Sequence, residues 1–247
     1  MTTRRTAQAT LGLPPGTRAC LFDLDGVLTQ TAKLHAAAWK QVFDEYLREW
    51  SASAGRPFIP FDPVHDYTQY VDGKLRVDGA RAFLASRGIH LPADAVRDLA
   101  GRKDEILLQL LQHEPVETYD GSVRYVRAVR EAGLRTAVVS SSKHTEPVLV
   151  SAGIADLFDA RIDGVVAEEE HLAGKPAPVT YLAAARAVGV EPAQAAVFED
   201  ALAGVEAGRA GHFACVVGVD RVGQAAELRR HGADVVVTDL AQLLEGA

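Results

Sequence analysis

"ACLFDLDGVLTQT", residues 19–31, runs apolar for four residues and then sets two carboxylates, Asp23 and Asp25, two positions apart ahead of Gly26. A short continuous apolar run reads as a strand buried on both faces, the kind that parallel sheets contain. Such strands do not ordinarily end in a pair of like charges, so the acids call for a chemical reason. Further β-rich runs recur down the chain, each tipped by polar residues: "RTAVVSSS" (135–142), "AAVFED" (195–200), "FACVVGV" (213–219) and "ADVVVTD" (233–239). Helical patterns lie between the later ones, "GSVRYVRAVREAG" (121–133) and "APVTYLAAARAVG" (177–189), each closing on a glycine suited to a helix C-terminus. This alternation predicts an α/β domain with a doubly wound, Rossmann-like parallel sheet covered on both faces.

Residues 33–115 break the rhythm. "KLHAAAWKQVFDEYLREW", "GARAFLASRG" and "AVRDLAGRKDEILLQLLQ" carry helical periodicity with no strong strand among them, and "SASAGRPFIPFDP" (51–63) is a loop punctuated by Pro and Gly. The expected organisation is a flexible tail over 1–16, an α/β core from 17–32 plus 116–247, and a small helical domain over 33–115 inserted after the first strand.

Composition narrows the class. Of 247 residues, 48% are hydrophobic and 24% charged, which suits a globular chain with a substantial core. The net charge of −7, with Lys and Arg scattered, argues against nucleic acid or an acidic membrane surface as partner. Cys20 and Cys215 both sit in apolar stretches and read as buried thiols of a reducing compartment. No apolar run reaches a membrane-spanning length, and "MTTRRTAQATLGLPPG" has no apolar signal core, so the expectation is a cytoplasmic monomer.

In open α/β sheets, ligands bind beyond the carboxyl ends of the strands. The polar tips then converge: Asp23 and Asp25 after the first strand, Ser140, Ser141 and Ser142 after the next, Glu199 and Asp200 after a later one. Lys175, in "AGKPAP", is expected to follow a further strand-like stretch. Acids crowded so closely repel unless a divalent cation neutralises them, and hard carboxylate oxygens suit Mg²⁺. Any one of these motifs alone is a turn or a helix cap as readily as a site. Their ordered occurrence at the strand tips carries the inference.

"DLDGVLTQT", "VVSSS", "KPAP" and "FEDALAG" together resemble, in order, the four motifs of the haloacid dehalogenase superfamily. Within it, "DLDGVLTQTAKLHAAAW", "SSSK" and "GKPAPVTYLAAARAVGV" are most similar to the β-phosphoglucomutase-like branch, of which a helical cap after the first strand is typical. The resemblance implies Asp23 as the nucleophile that forms an aspartyl-phosphate, and Asp25 as general acid and base. It implies Asp23, Asp25 (through its carbonyl) and Asp200 around Mg²⁺, with Glu199 either a further ligand or a partner behind the ligands, and with Ser140 and Lys175 neutralising the transferring phosphoryl group. Gly26 lets the chain turn close to the phosphate. An acid at position 25 separates this chain from the dehalogenases and phosphonate-cleaving relatives, whose leaving groups need no proton.

For the cap, "VDGKLRVDG" (71–79) resembles a substrate-specificity loop in which Arg76 grips a second, non-reacting phosphate. Ser142 and Lys143 match positions that help hold it, Thr31 and His35 positions near the cap hinge, and Lys103 more loosely a cap lysine. Gln30, His144 and the long stretch from Phe43 to Gly73 depart from the mutase pattern. The expected function is Mg²⁺-dependent phosphoryl transfer on a small sugar phosphate. The alternatives are a sugar-phosphate phosphatase without mutase activity and, from another class, a phospho-acceptor receiver or binding module. A receiver needs adjacent acids at its first strand, half this length and no helical insert.

Overall fold

The computed structural model describes residues 11–113 and 115–245. Its strands are β1 (Ala19–Phe22), β2 (Arg135–Val139), β3 (Ala160–Ile162), β4 (Ala195–Glu199), β5 (Cys215–Val219) and β6 (Val235–Val237). They form one sheet in the order β3-β2-β1-β4-β5-β6, and every pairing is parallel. The helices are α1 (Ala32–Ala54), α2 (Arg76–Ser86), α3 (Ala93–His113), α4 (Asp120–Glu131), α5 (Thr145–Ser151), α6 (Gly164–Glu169), α7 (Val179–Ala187), α8 (Leu202–Ala210), α9 (Ala225–His231) and α10 (Gln242–Glu245).

The described chain divides into two compact units. One holds the segments up to Gln30, Gly73–Leu75 and onward from Val116; the other holds Thr31–Asp72 and Arg76–Pro115. In the α/β unit both faces of the sheet are covered, as continuous apolar strands require. Leu21, Val139 and Val197 pack with Tyr181 of α7 and Val205 of α8 on one face. On the other, Phe22 stacks on Phe198 at 4.5 Å, and Tyr125 of α4 lies 6.4 Å and 5.3 Å from these two rings.

Register explains why the polar tips meet. Phe22 stands level with Val138 and Phe198 on the flanking strands. One residue further along, Asp23, Val139 and Glu199 are level in turn. Side chains alternate along a strand, so Asp23 and Glu199 continue the face that Leu21 and Val197 begin. The first strand is central, with β2 and β4 on either side of it, which is the strand-order reversal where open sheets place their ligands.

Three expectations need correction. β3 was not anticipated: it is three residues long with Arg161 in its middle, and pairs on only one edge, so its sequence shows no apolar run. Lys175 does not follow a strand; it lies in the loop between α6 and α7. Of the expected tail over 1–16, residues 1–10 lie outside the described residues. Leu11 and Leu13 are buried, and Tyr125 donates its hydroxyl to the Leu11 carbonyl at 2.8 Å, so that part is docked rather than loose.

The helical unit has its own core around α1. Phe43 stacks on Trp39 at 4.7 Å and meets Phe83 of α2 at 4.3 Å. The long segment after α1 belongs to this core. It returns Phe61, 1% exposed, to within 5.2 Å of Phe43. Asp44 accepts the Phe61 N–H at 2.7 Å, and Lys40 bridges Asp44 (2.8 Å) and the Phe61 carbonyl (3.0 Å). Asp66 accepts from the Asp62 N–H at 2.9 Å and from Arg87 at 2.7 Å. Phe61→Ala is therefore expected to destabilise this unit by about 3–5 kcal/mol, the usual cost of emptying an aromatic core site. Urea unfolding checks it, and a loss under about 1 kcal/mol would mean that the segment only drapes over a core complete without it.

Candidate active site

Asp23 follows β1, and its N–H still bonds the Phe198 carbonyl at 2.9 Å, so its carboxylate leaves the sheet in strand geometry. Lys175 reaches it from the α6–α7 loop, past a cis Lys175–Pro176 peptide. The Lys175 ammonium donates to Asp23 Oδ1 at 2.5 Å, to Glu199 Oε1 at 2.5 Å and to the Val139 carbonyl at 3.1 Å. Its three protons thus meet acceptors from three adjacent strand ends, the level set by register. Burial pushes the Lys175 ammonium towards losing its proton, but Asp23 and Glu199 together outweigh burial and raise its pKa. Burial likewise drives the Asp23 carboxyl well above the usual range; Lys175 opposes this, while Glu199 and Asp25 add to it. The site is short of positive charge.

Glu199 is fully buried, and both of its oxygens are engaged. Besides Lys175, Oε1 accepts the Tyr181 hydroxyl at 2.9 Å; Oε2 accepts the Ala201 N–H at 3.0 Å. The carboxylate lies so close against the first turn of α8 that a Cβ on Gly204 would fall 1.7 Å from Oε1. Asp200 is packed as tightly on the other side. A Cβ at Gly26 would fall 1.8 Å from Asp200 Oδ2, and Gly26 has φ +88°, so two independent constraints require glycine there.

Asp23, Glu199 and Asp200 each offer an oxygen within 4.8 Å of the others, and all three are buried. Three carboxylates face one ammonium. An all-oxygen, acid-rich cluster of this size is the donor set of a hard divalent cation, so the residues present fit Mg²⁺.

Ser140 ends β2, its N–H on the Ile162 carbonyl at 3.0 Å. Its hydroxyl accepts the Ser142 N–H at 3.0 Å and stands 3.5 Å from Asp25 Oδ2. Ser141 donates to the Gly73 carbonyl at 2.7 Å, and Ser142 accepts the His144 N–H at 3.2 Å. Lys143 pairs with the exposed Glu168 of α6. The structure thus gathers Asp23, Asp25, Gly26, Ser140, Ser141, Ser142, Lys143, Lys175, Glu199 and Asp200 in the α/β unit.

The other candidates sit in the helical unit. Thr31, buried, precedes α1; His35 Nδ1 lies 3.2 Å from the buried Lys103 ammonium, itself 5.5 Å over the Trp39 ring. Arg76 opens α2 and pairs with Asp104 of α3. Sequence reasoning missed Tyr181 and Gly204. Tyr181 lies on an apolar helical stripe that reads as core, which it also is, and nothing in the sequence announces its hydroxyl on Glu199.

The haloacid dehalogenase-like hydrolase family matches residues 17–212. The chain belongs to that family, in its β-phosphoglucomutase-like branch, and is an enzyme of the phosphotransferase/phosphatase type. It is 56% identical over 246 residues to a β-phosphoglucomutase of Mycobacterium tuberculosis (strain CDC 1551 / Oshkosh), covering 95% of this chain and 94% of the relative. It is 28% identical to a validoxylamine A 7'-phosphate phosphatase of Streptomyces hygroscopicus subsp. limoneus, over 92% of this chain and 95% of that one. A β-phosphoglucomutase structure from Clostridium difficile superposes with a TM-score of 0.74 at 25% identity, covering 92% and 93% of the two chains. Among the described residues no helix is long and apolar enough to cross a membrane.

Proposed function

We propose that this enzyme is a Mg²⁺-dependent mutase that moves a phosphoryl group on a small sugar phosphate through a phosphorylated Asp23. The observation that carries it is the buried Asp23 carboxylate, held at a strand tip by Lys175 inside a cluster of acids one cation short of balance. Asp23 and Asp200, with the Asp25 carbonyl, would hold Mg²⁺. Glu199, both oxygens occupied by Lys175, Tyr181 and Ala201, would serve beside them by fixing Lys175. Bound there, the cation supplies charge neutralisation and orientation of the phosphoryl oxygens.

The residues divide the remaining work. Asp23 attacks phosphorus while Asp25, two residues on, gives its proton to the leaving sugar oxygen. Lys175 and Ser140 face the charge on the transferring group. In the second half, Asp25 takes the proton from the incoming hydroxyl as it attacks the phosphorus on Asp23. A sugar hydroxyl makes the enzyme a mutase; water makes it a phosphatase. The cap group Arg76 would hold the second phosphate, an anchor that only the mutase needs. The buried thiols of Cys20 and Cys215 support a cytoplasmic setting, and the absence of patterned basic charge supports a small dissolved substrate.

The test follows β-glucose 1-phosphate with a bisphosphate primer by phosphorus NMR, in Mg²⁺ and in EDTA. Isomerised sugar phosphate is expected in Mg²⁺ and none in EDTA. Arg76→Ala should lower isomerisation by about 10- to 150-fold, the worth of one charge-assisted phosphate contact, and barely touch hydrolysis of an aryl phosphate. Undiminished activity in EDTA would overturn the metal role. Free phosphate as sole product, with no effect of Arg76→Ala, would favour the phosphatase reading, which the similarity to the Streptomyces enzyme keeps in view.

A further inference from the structure

Asp220–Gln224, the segment just past β5, carries none of the acids or phosphate contacts described above, yet it is bonded to both loops that do. Asp220 makes the segment rigid. Its Oδ1 accepts the N–H groups of Val222 (3.2 Å), Gly223 (2.7 Å) and Gln224 (2.8 Å), and Oδ2 accepts that of Ala225 (3.2 Å). Its own N–H bonds the Val237 carbonyl of β6 at 2.8 Å.

From this base Arg221 extends to the loop after β1. Nε donates to the Gly26 carbonyl at 2.8 Å, and Nη2 lies 3.4 Å from the Val27 carbonyl and 3.5 Å from Ser122 Oγ. Nη1 donates to the Thr238 carbonyl at 2.7 Å. The guanidinium lies 3.5 Å above the ring of Tyr119, whose N–H in turn holds the Leu28 carbonyl at 2.9 Å. Three residues on, Gln224 Nε2 donates to the Asp200 carbonyl at 3.0 Å. One short segment therefore bonds the main chain of Gly26 and the main chain of Asp200, the two residues whose side-by-side packing leaves no room for a Cβ.

Resting on the function proposed above, we infer that Arg221 and Gln224 are positioning residues of the active site. They set the gap between the loop carrying Asp25 and the loop carrying Asp200, and with it the geometry at which acid, nucleophile and cation-binding carboxylates face one another. Arg221 suits the task because its planar fork reaches several carbonyls at fixed angles, which a lysine cannot do. Small displacements matter at such sites, since an acid or ligand out of place by about 1 Å costs on the order of 100-fold in rate. A purely structural Arg221 would change stability alone. A positioning Arg221 changes cation affinity and turnover at nearly constant substrate binding.

The experiment compares the full-length wild type with Arg221→Met, Arg221→Lys and Gln224→Ala. It measures Mg²⁺ affinity by calorimetry without substrate, kcat and KM for a phosphate ester, thermal midpoint, and hydrogen exchange of the peptide spanning residues 24–30. Arg221→Met should weaken Mg²⁺ binding about tenfold and lower kcat by about 10- to 100-fold, with KM moving under about threefold and exchange of 24–30 accelerated. Arg221→Lys should recover part of the loss, because one ammonium can replace the donor to Gly26 but not the whole fork. Gln224→Ala should show the same pattern at about a third of the size or more. Mg²⁺ affinity and kcat within about twofold of wild type in Arg221→Met and Gln224→Ala, whatever the midpoint does, would overturn the inference. If Arg221→Met does not fold, the lysine and Gln224 variants decide it on the same readouts. A wild type that binds Mg²⁺ in an Arg221-dependent way yet transfers no phosphoryl group would sink the proposed function and uphold the brace. A wild type that binds no Mg²⁺ would sink both.

Discussion

Asp23→Asn should abolish turnover and leave the fold standing. The amide is nearly the shape of the carboxylate but cannot form an acyl-phosphate, so kcat should fall by about 10⁴-fold or more, the scale seen when a covalent nucleophile is removed. Stability should not follow. Asp23 is buried beside Glu199 and Asp25, and these together drive its carboxyl well above the ordinary range despite Lys175. Replacing it removes a strained charge while Lys175 keeps Glu199 and the Val139 carbonyl as acceptors. In EDTA the thermal midpoint of Asp23→Asn is therefore expected to equal or exceed that of the wild type. Phosphoryl-transfer assays, with mass spectrometry to exclude deamidation back to Asp, check the first half; calorimetric melting checks the second. Activity within about tenfold of wild type would remove Asp23 from the nucleophile's place.

How much of this was legible depended on where the physics acts. β1, β2, β4 and β5 are recognisable because a strand buried on both faces must be apolar throughout, and β6, although an edge strand with Val235 exposed, is legible because it is a run of three valines. β3 is hidden because an edge strand of three residues has no such obligation, and Arg161 at its centre reaches the carboxylate of Asp163 at 2.7 Å. The acids at the strand tips stand out because charge beside an apolar run is costly and so conspicuous. Lys175 is conspicuous only as part of "GKPAP"; that it follows a helix and loop is a matter of tertiary path. Gly26 is legible as a glycine but not in its reason, the Asp200 carboxylate packed against it. Tyr181, Arg221 and Gln224 act through a few hydrogen bonds to groups at least 17 residues away in sequence, and such contacts leave no periodicity to read. The segment between α1 and α2 reads as a loop on its Pro and Gly, yet its Phe61 and Asp66 are core groups held by Asp44 and Arg87.

Lys175→Met separates what the site's charge does for catalysis from what it does for stability. The lysine is 2% exposed and is the ammonium directly bonded to two buried carboxylates, Asp23 and Glu199. Methionine keeps much of its volume and none of its charge. Breaking a buried ion pair from one side costs about 3–5 kcal/mol, because the partner charges stay behind. The same change removes the group that faces the transferring phosphoryl, and kcat should drop by about 10²- to 10³-fold, as when one stabilising donor is lost. The pH dependence has a definite sign. A carboxyl whose folded pKa is raised binds more protons folded than unfolded between its ordinary and its raised value, so stability falls as pH rises through that window. Asp23 is such a group, and Lys175 is the influence that opposes its rise. In EDTA the variant should therefore regain stability relative to wild type as the pH is lowered towards the ordinary carboxylate range near about 4. Adding Glu199→Gln to Lys175→Met removes one of the stranded charges; the amide oxygen can still accept the Ala201 N–H while the amide NH2 donates to the Tyr181 hydroxyl oxygen, so it should restore a large part of the stability and none of the activity. Recovery of both together would show that Lys175 acts only as a counter-charge for folding. Recovery of neither would place the cost in packing around Tyr181, not in the stranded carboxylates.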